Sequence, residues 1–236
     1  FLENAGQFSV GSPGEVDLFF SRKIGISENG NIIPITGGGR VSGKIGQTNV
    51  GLLSMFTDDV QSLGIDKNSY NMARVNHDFP KNRSSIGAAF INRTGLGDRN
   101  DDYNHVMAVD GKWGLGQKAQ ITGFLAKSAT PGITDSDHSY KLQFSYNWER
   151  WELRAAYTEL GEGFNPEVGF LQRSAFRKPE FFIQHRWRPD HLLNLLELRP
   201  HISFRQYADF KGNLVTGYLH IDNHWVWKSG LEIHTG

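Results

Sequence analysis

The chain has 236 residues, with 25 Lys+Arg against 25 Asp+Glu, no cysteine, 27 glycines and 12% aromatic residues. A formal net charge of zero argues against a basic nucleic-acid groove, and the lack of cysteine excludes disulfides and thiolate metal sites. No run approaches the roughly 18 apolar residues of a membrane helix, a test that does not apply to strands exposing every second residue to lipid.

Abundant glycine and aromatics with few leucine-rich windows point to an all-β chain, read here as one segment over 1–236 with no internal boundary. Phe1-Leu2-Glu3-Asn4 lacks the basic start and apolar core of a signal peptide, so residue 1 reads as the start of a processed or excised segment. Gly11-Ser12-Pro13-Gly14 reads as a turn and Asp17 to Ile26 as a first strand. Asn29-Gly30 is a turn pair, and strands are expected over Arg40 to Gly46 and Asn49 to Thr57. Asp58 to Asn68 is a polar loop. Tyr70 to Asp78 and Ser84 to Arg93 form a hairpin around Pro80-Lys81-Asn82.

Gly95 to Asp102 is a second polar loop, followed by a pair of strands, Tyr103 to Leu115 and Lys118 to Ser128, around Gly116. Pro131 to Asp137 is a third loop. It leads into the clearest stretch of the chain, Ser139 to Leu160. There Tyr140, Leu142, Phe144, Tyr146 and Trp148 alternate with Lys141, Gln143, Ser145 and Asn147. After Glu149-Arg150 the pattern returns, with Trp151, Leu153, Ala155 and Tyr157 against Glu152, Arg154 and Thr158. Strict alternation over about 8 residues marks a strand with one apolar and one polar face. A two-residue loop at Glu149-Arg150 would put the apolar residues of both strands on one face.

Gly161 to Arg173 is irregular and Ser174 to Arg188 extended, with Pro179 marking an edge or bulge. Asp190 to Leu198 is the one helical candidate, barely two turns long, with a turn or strand end as its alternative. His201 to Asp209, Leu214 to Asn223 and His224 to Gly236 finish the chain as strands. Trp225, Trp227, Leu231 and Ile233 share one face; His224, Lys228, Glu232 and His234 share the other. The sum is about 11 to 13 strands in an up-and-down meander. The pattern still alternates at Gly236, so the chain reads as part of a longer barrel.

Candidate chemistry is sparse. Gly38-Gly39-Arg40-Val41-Ser42-Gly43-Lys44 resembles a phosphate-binding loop in composition, but Ile45 stands where Ser or Thr should reach the metal, and both flanks read as strands. A glycine-permitted bend is the better reading. His220, Asp222 and His224 sit at i, i+2 and i+4, donor types that chelate zinc, but a hydrated polar face is the better reading and no metal site is assigned. Gly97 to Asp102 carries the oxygen ligands of a calcium loop without EF-hand spacing. Glu159, Glu162 and Glu167 are carboxylates whose separation the sequence does not supply. No nucleophile with an identifiable base is present, so no catalytic residue and no cofactor is assigned.

Five stretches carry a family resemblance. They are Phe1-Leu2-Glu3-Asn4, Asp17 to Gly25, Ile35 to Lys44, Phe164-Asn165-Pro166-Glu167-Val168-Gly169-Phe170-Leu171 and Leu219-His220-Ile221-Asp222-Asn223-His224-Trp225. Together, in this order, they resemble bacterial outer-membrane-type β-barrel proteins that carry a family-nine carbohydrate-binding-like domain before the barrel. The resemblance implies a transmembrane β-barrel of which this chain is part, with the sugar-binding-like domain and later strands outside it. It also implies a bacterial outer-membrane location, lipid or lipopolysaccharide around the barrel, and a surface or transport role associated with carbohydrate. It transfers no catalytic residue. The competing expectation is a soluble β-rich carbohydrate-processing enzyme or lectin, its alternating faces packed sheet on sheet.

Overall fold

A computed structural model describes residues 5–27, 29–97 and 101–236. Its strands are β1 (Gly11–Ser12), β2 (Val16–Asp17), β3 (Ile35–Ile45), β4 (Thr48–Thr57), β5 (Asn68–Phe79), β6 (Ser84–Gly95), β7 (Tyr103–Leu115) and β8 (Ala119–Ala129). They continue with β9 (His138–Trp148), β10 (Trp151–Leu160), β11 (Phe170–Leu171), β12 (Phe176–His185), β13 (Leu195–Ala208), β14 (Leu214–Trp227) and β15 (Glu232–Thr235). Twelve of them form one antiparallel sheet in chain order from β3 to β15, with only β11 displaced. β1, β2 and β11 form a separate three-stranded sheet. The protein is all-β, and the large sheet is a meander whose edges are β3 and β15.

Register explains why alternation in the sequence becomes two faces in space. Across β4 to β7, Leu53 pairs with Met72, Met72 with Ile91, and Ile91 with Val106. All four are buried. One residue away, Leu52 pairs with Ala73, Ala73 with Phe90, and Phe90 with Met107; the three large members of this second row are exposed. A slip of one residue in any pair would exchange the rows, so hydrophobic burial on one side holds the register. The alternation is repeated in β8, where Ala126 is 1% exposed and Leu125 55%.

The chain divides into two compact units. The first comprises 1–112, 123–140 and 160–175; the second comprises 113–122, 141–159 and 176–236. In the first, the residues before β3 cover the buried row. Phe8, Val10, Val16, Leu18, Ile24 and Ile33 are all buried, as are Leu160, Phe164 and Val168. The Leu18 amide donates to the Val10 carbonyl at 3.1 Å, and that of Phe20 to Val168 at 2.7 Å. Gly51 of β4 makes room for this layer, since a Cβ there would lie 3.1 Å from the Phe8 ring. Each Leu or Val so buried contributes about 1.5–3 kcal/mol.

The expected first strand over Asp17 to Ile26 is therefore corrected. Only Val16–Asp17 is strand, and a 3-10 turn follows at Ser21–Lys23. Leu18 and Ile24 are buried, and Gly25 turns the backbone at φ 85°; the segment packs as an irregular layer and does not pair along its length. The helical candidate Asp190 to Leu198 is also not a helix. Leu193 and Asn194 take left-handed backbone angles, φ 47° and 57°, and Leu195 begins β13. With so short a segment, cross-strand pairing outweighs one or two intrahelical bonds. The Glu149-Arg150 loop is two residues long as expected, between Trp148 ending β9 and Trp151 opening β10.

From β3 to β12 the connections alternate in length: residues 46–47, 80–83, 116–118 and 149–150 are short turns, whereas 58–67, 96–102, 130–137 and 161–175 are longer. Beyond β12 the alternation ends, with connections over 186–194, 209–213 and 228–231. All six tryptophans belong to the second unit and lie near its turns. Trp113 precedes the 116–118 turn, Trp148 and Trp151 flank Glu149-Arg150, Trp187 follows β12, and Trp225 and Trp227 close β14.

Candidate functional site

The less exposed face of the second unit's strands is polar; in the first unit the face of the Leu53 to Val106 row also carries Arg74, paired with Asp110 at 2.7 Å. Lys141 of β9, Arg154 of β10, Glu180 and Phe182 of β12, Arg205 of β13 and Tyr218 of β14 line a cavity of about 320 Å³. Glu180 lies opposite Arg205 in register, and Arg205 opposite Tyr218. Lys178 reaches the Glu180 carboxylate at 2.8 Å and Lys141 at 3.9 Å. The Arg154 guanidinium lies 4.4 Å from the Phe182 ring centroid, and that of Arg205 lies 4.5 Å from Tyr218. Cations held over aromatic faces keep their hydrogens available to a polar solute.

Further along the same face, β13, β14 and β15 gather histidines. His201 lies directly opposite Asp222, Arg199 opposite His224, and His224 opposite His234. His224 Nε2 is 3.3 Å from Asp222 Oδ2, and His224 Nδ1 is 2.8 Å from Glu232 Oε1. His234 stacks on His224 with ring centroids 3.7 Å apart, and its Nε2 is 3.2 Å from Glu232 Oε1. Arg199 pairs with Glu232.

The sequence triad His220, Asp222 and His224 is thus rearranged. Residues four apart on a strand are separated by roughly 13 Å along it, whereas cross-strand partners are about 5 Å apart. His220 Nε2 does approach Asp222 Oδ2, at 3.8 Å. Among the described residues, the groups whose donor atoms converge are instead His201, Asp222 and His224, and His224, Glu232 and His234. His201 escaped the sequence reading because only register brings it opposite Asp222.

The remaining motifs resolve into structure. The glycine run lies in β3, with a register shift between Ile35 and Gly37, and a Cβ at Gly38 would meet the Ser54 carbonyl at 2.6 Å. No helix follows it, and Lys44 pairs with Asp78 at 3.5 Å. Residues 98–100 of the calcium-like loop lie outside the described residues; Asp102 is held by Arg93 at 2.6 Å. Arg93 also donates from Nε to Glu167 at 2.5 Å and from Nη1 to Asn68 at 2.8 Å. Glu159 accepts from Tyr157 at 2.9 Å and from Arg177 at 3.1 Å. Glu159 and Glu167 are therefore both occupied by hydrogen-bonded partners.

No protein-family model, no curated protein and no solved structure matches the chain. The functional reading rests on the residues themselves.

Proposed function

We propose that this chain is part of an antiparallel outer-membrane β-barrel acting as a surface or transport protein, whose polar inward face takes a small polar solute of the carbohydrate class. The observation that carries the reading is the exposed apolar row. In the first unit it runs through Leu52, Phe90 and Met107; in the second, Phe181 pairs with Phe204 and Phe204 with Leu219, all three exposed and Leu219 to 64%. In water such rows would forgo about 25 cal/mol for every Å² left uncovered. Lipid removes that cost, and barrel strands present apolar side chains outward and polar ones inward.

Two features support the same reading. The tryptophans gathered at the turns match the aromatic girdle of a barrel at the membrane interface, and the alternation of short turns with longer loops from β3 to β12 matches its two ends. A barrel pairs the free edges β3 and β15, with each other or through further strands. The soluble-sandwich alternative needs the apolar face buried, yet Phe144, Leu219 and Ile221 are exposed. For the solute, the cavity combines aromatic rings with hydrogen-bonding cations and a carboxylate, groups that orient a hydroxyl-rich molecule.

Fractionation of cells expressing the protein, with gel mobility compared before and after boiling in detergent, tests the reading. Recovery in the outer membrane with a boiling-dependent shift is expected. Recovery as a soluble species without detergent would overturn it.

A further inference from the structure

We propose that His201, Asp222 and His224 form a binding site for one divalent transition-metal ion of the zinc, nickel and copper class. The site lies wholly within β13 and β14 and does not depend on the barrel reading.

Tautomers are the first argument. His201 Nδ1 is 3.3 Å from the Arg199 carbonyl, which can only accept, so Nδ1–H donates and Nε2 keeps its lone pair. His224 Nδ1 lies 2.8 Å from the Glu232 carboxylate and 3.4 Å from Arg199 Nη2; the closer acceptor takes its proton, so Nδ1–H donates to Glu232 and Nε2 keeps its lone pair. That Nε2 faces Asp222 Oδ2 at 3.3 Å. A lone pair facing a carboxylate oxygen needs a positive centre between them, either a proton or a metal ion. Tetrahedral coordination with bonds of about 2.0–2.1 Å sets neighbouring donors about 3.3–3.4 Å apart. The His224–Asp222 spacing of 3.3 Å meets that geometry, and the donor atoms of His201, Asp222 and His224 all lie within 4.8 Å of one another.

The surroundings are those of a metal site. A carboxylate or carbonyl on the far nitrogen of each ligating imidazole fixes its orientation and raises its basicity. Here the Arg199 carbonyl serves His201 and Glu232 serves His224. Asp222 is 8% exposed, and its other oxygen accepts from the Asn223 amide at 2.7 Å, leaving Oδ2 for the ion. The nearby cation, Arg199, is balanced by Glu232 and lies 3.7 Å from Glu197. Imidazole and carboxylate donors without sulfur select zinc, nickel and copper over calcium or magnesium. Three protein ligands leave a fourth position for water or a solute. His234 is not assigned as a ligand because its ring lies stacked on His224, with the two planes only 29° from parallel.

The test uses the full chain without a polyhistidine tag, stripped of metal and titrated with zinc chloride, with cobalt(II) absorption as a second readout. One ion per chain and the intense visible bands of low-coordinate cobalt are expected. His201→Gln, Asp222→Asn and His224→Gln should each weaken zinc binding by about tenfold or more, and Glu232→Gln by about 10–100-fold. His220→Gln should leave the affinity unchanged. Far-UV circular dichroism confirms that each variant is folded. Failure of the parent chain to bind zinc would overturn the site and leave a proton between His224 and Asp222. Loss of binding in His234→Gln with none in His201→Gln would overturn it in favour of the His224, Glu232 and His234 group.

Discussion

The two units share one rule of alternation and apply it to opposite ends. In the first, the row Leu53, Met72, Ile91 and Val106 is buried, as are Phe8, Val16 and Leu18, with the Phe8 ring against Gly51 of β4. In the second, one face carries Lys141, Arg154, Glu180 and the histidines of β13 and β14. Alternation alone says that a strand has two faces. What decides which face is core is the chain that arrives to cover it. The first unit has an apolar row with a cover, interrupted by the Arg74–Asp110 pair on the same face; the polar face of the second holds charge networks and the cavity.

The largest break in this contrast should come from the cover. Leu18→Ala, at a side chain with no exposure, is expected to cost about 2–5 kcal/mol, read as a lower urea midpoint. Leu219→Ala in the second unit should barely move it. If both substitutions cost the same, the contrast between a covered face and an open one is wrong. Next in size is Leu219→Arg, which in a bilayer should cost about 2–4 kcal/mol and slow folding into lipid vesicles. A soluble protein would show almost no change for a residue already 64% exposed.

Gly51→Leu tests how closely the cover sits. With the Phe8 ring 3.1 Å from the new Cβ, overpacking should destabilise the first unit by about 1–3 kcal/mol. The smallest effect belongs to the 58–67 loop. Lys67, 3.0 Å away, holds the Asp58 carboxyl below its ordinary range, helped by the Asp59 amide, and Asp58 raises Lys67 in return. The pair is intact above the ordinary carboxylate range and is lost as pH falls through the lowered Asp58 value; at the other extreme it is lost as pH rises through the raised Lys67 value. The protection of this loop against hydrogen exchange, taken relative to the intrinsic rate at each pH, should fall in acid in the parent chain, and Asp58→Asn should remove that dependence.

Much of the sheet was legible because its signal is local. The strands flanking Glu149-Arg150 and the hairpin around Pro80-Lys81-Asn82 follow from period-two patterning and turn residues within a few positions. The cover was not legible. Leu18, Ile24 and Ile33 bury without any period, so their role depends on the sheet beneath them. The histidine cluster fails for the same reason. His220 and His224 are close in sequence, but His201, nineteen to twenty-three positions away, is the partner that register delivers to Asp222. Likewise the leucines of 190–198 suggest a helix until cross-strand partners for Leu195 and Leu198 are known.

The placement of the six indoles has a spectroscopic consequence. Every tryptophan belongs to the second unit, so intrinsic emission from this protein reports on that unit directly. A melting curve followed by tryptophan fluorescence is blind to loss of the Leu18 cover, whereas backbone circular dichroism sees both units. Coincident curves would mean that the two units unfold as one cooperative body, and separated curves would mean that the cover is lost on its own.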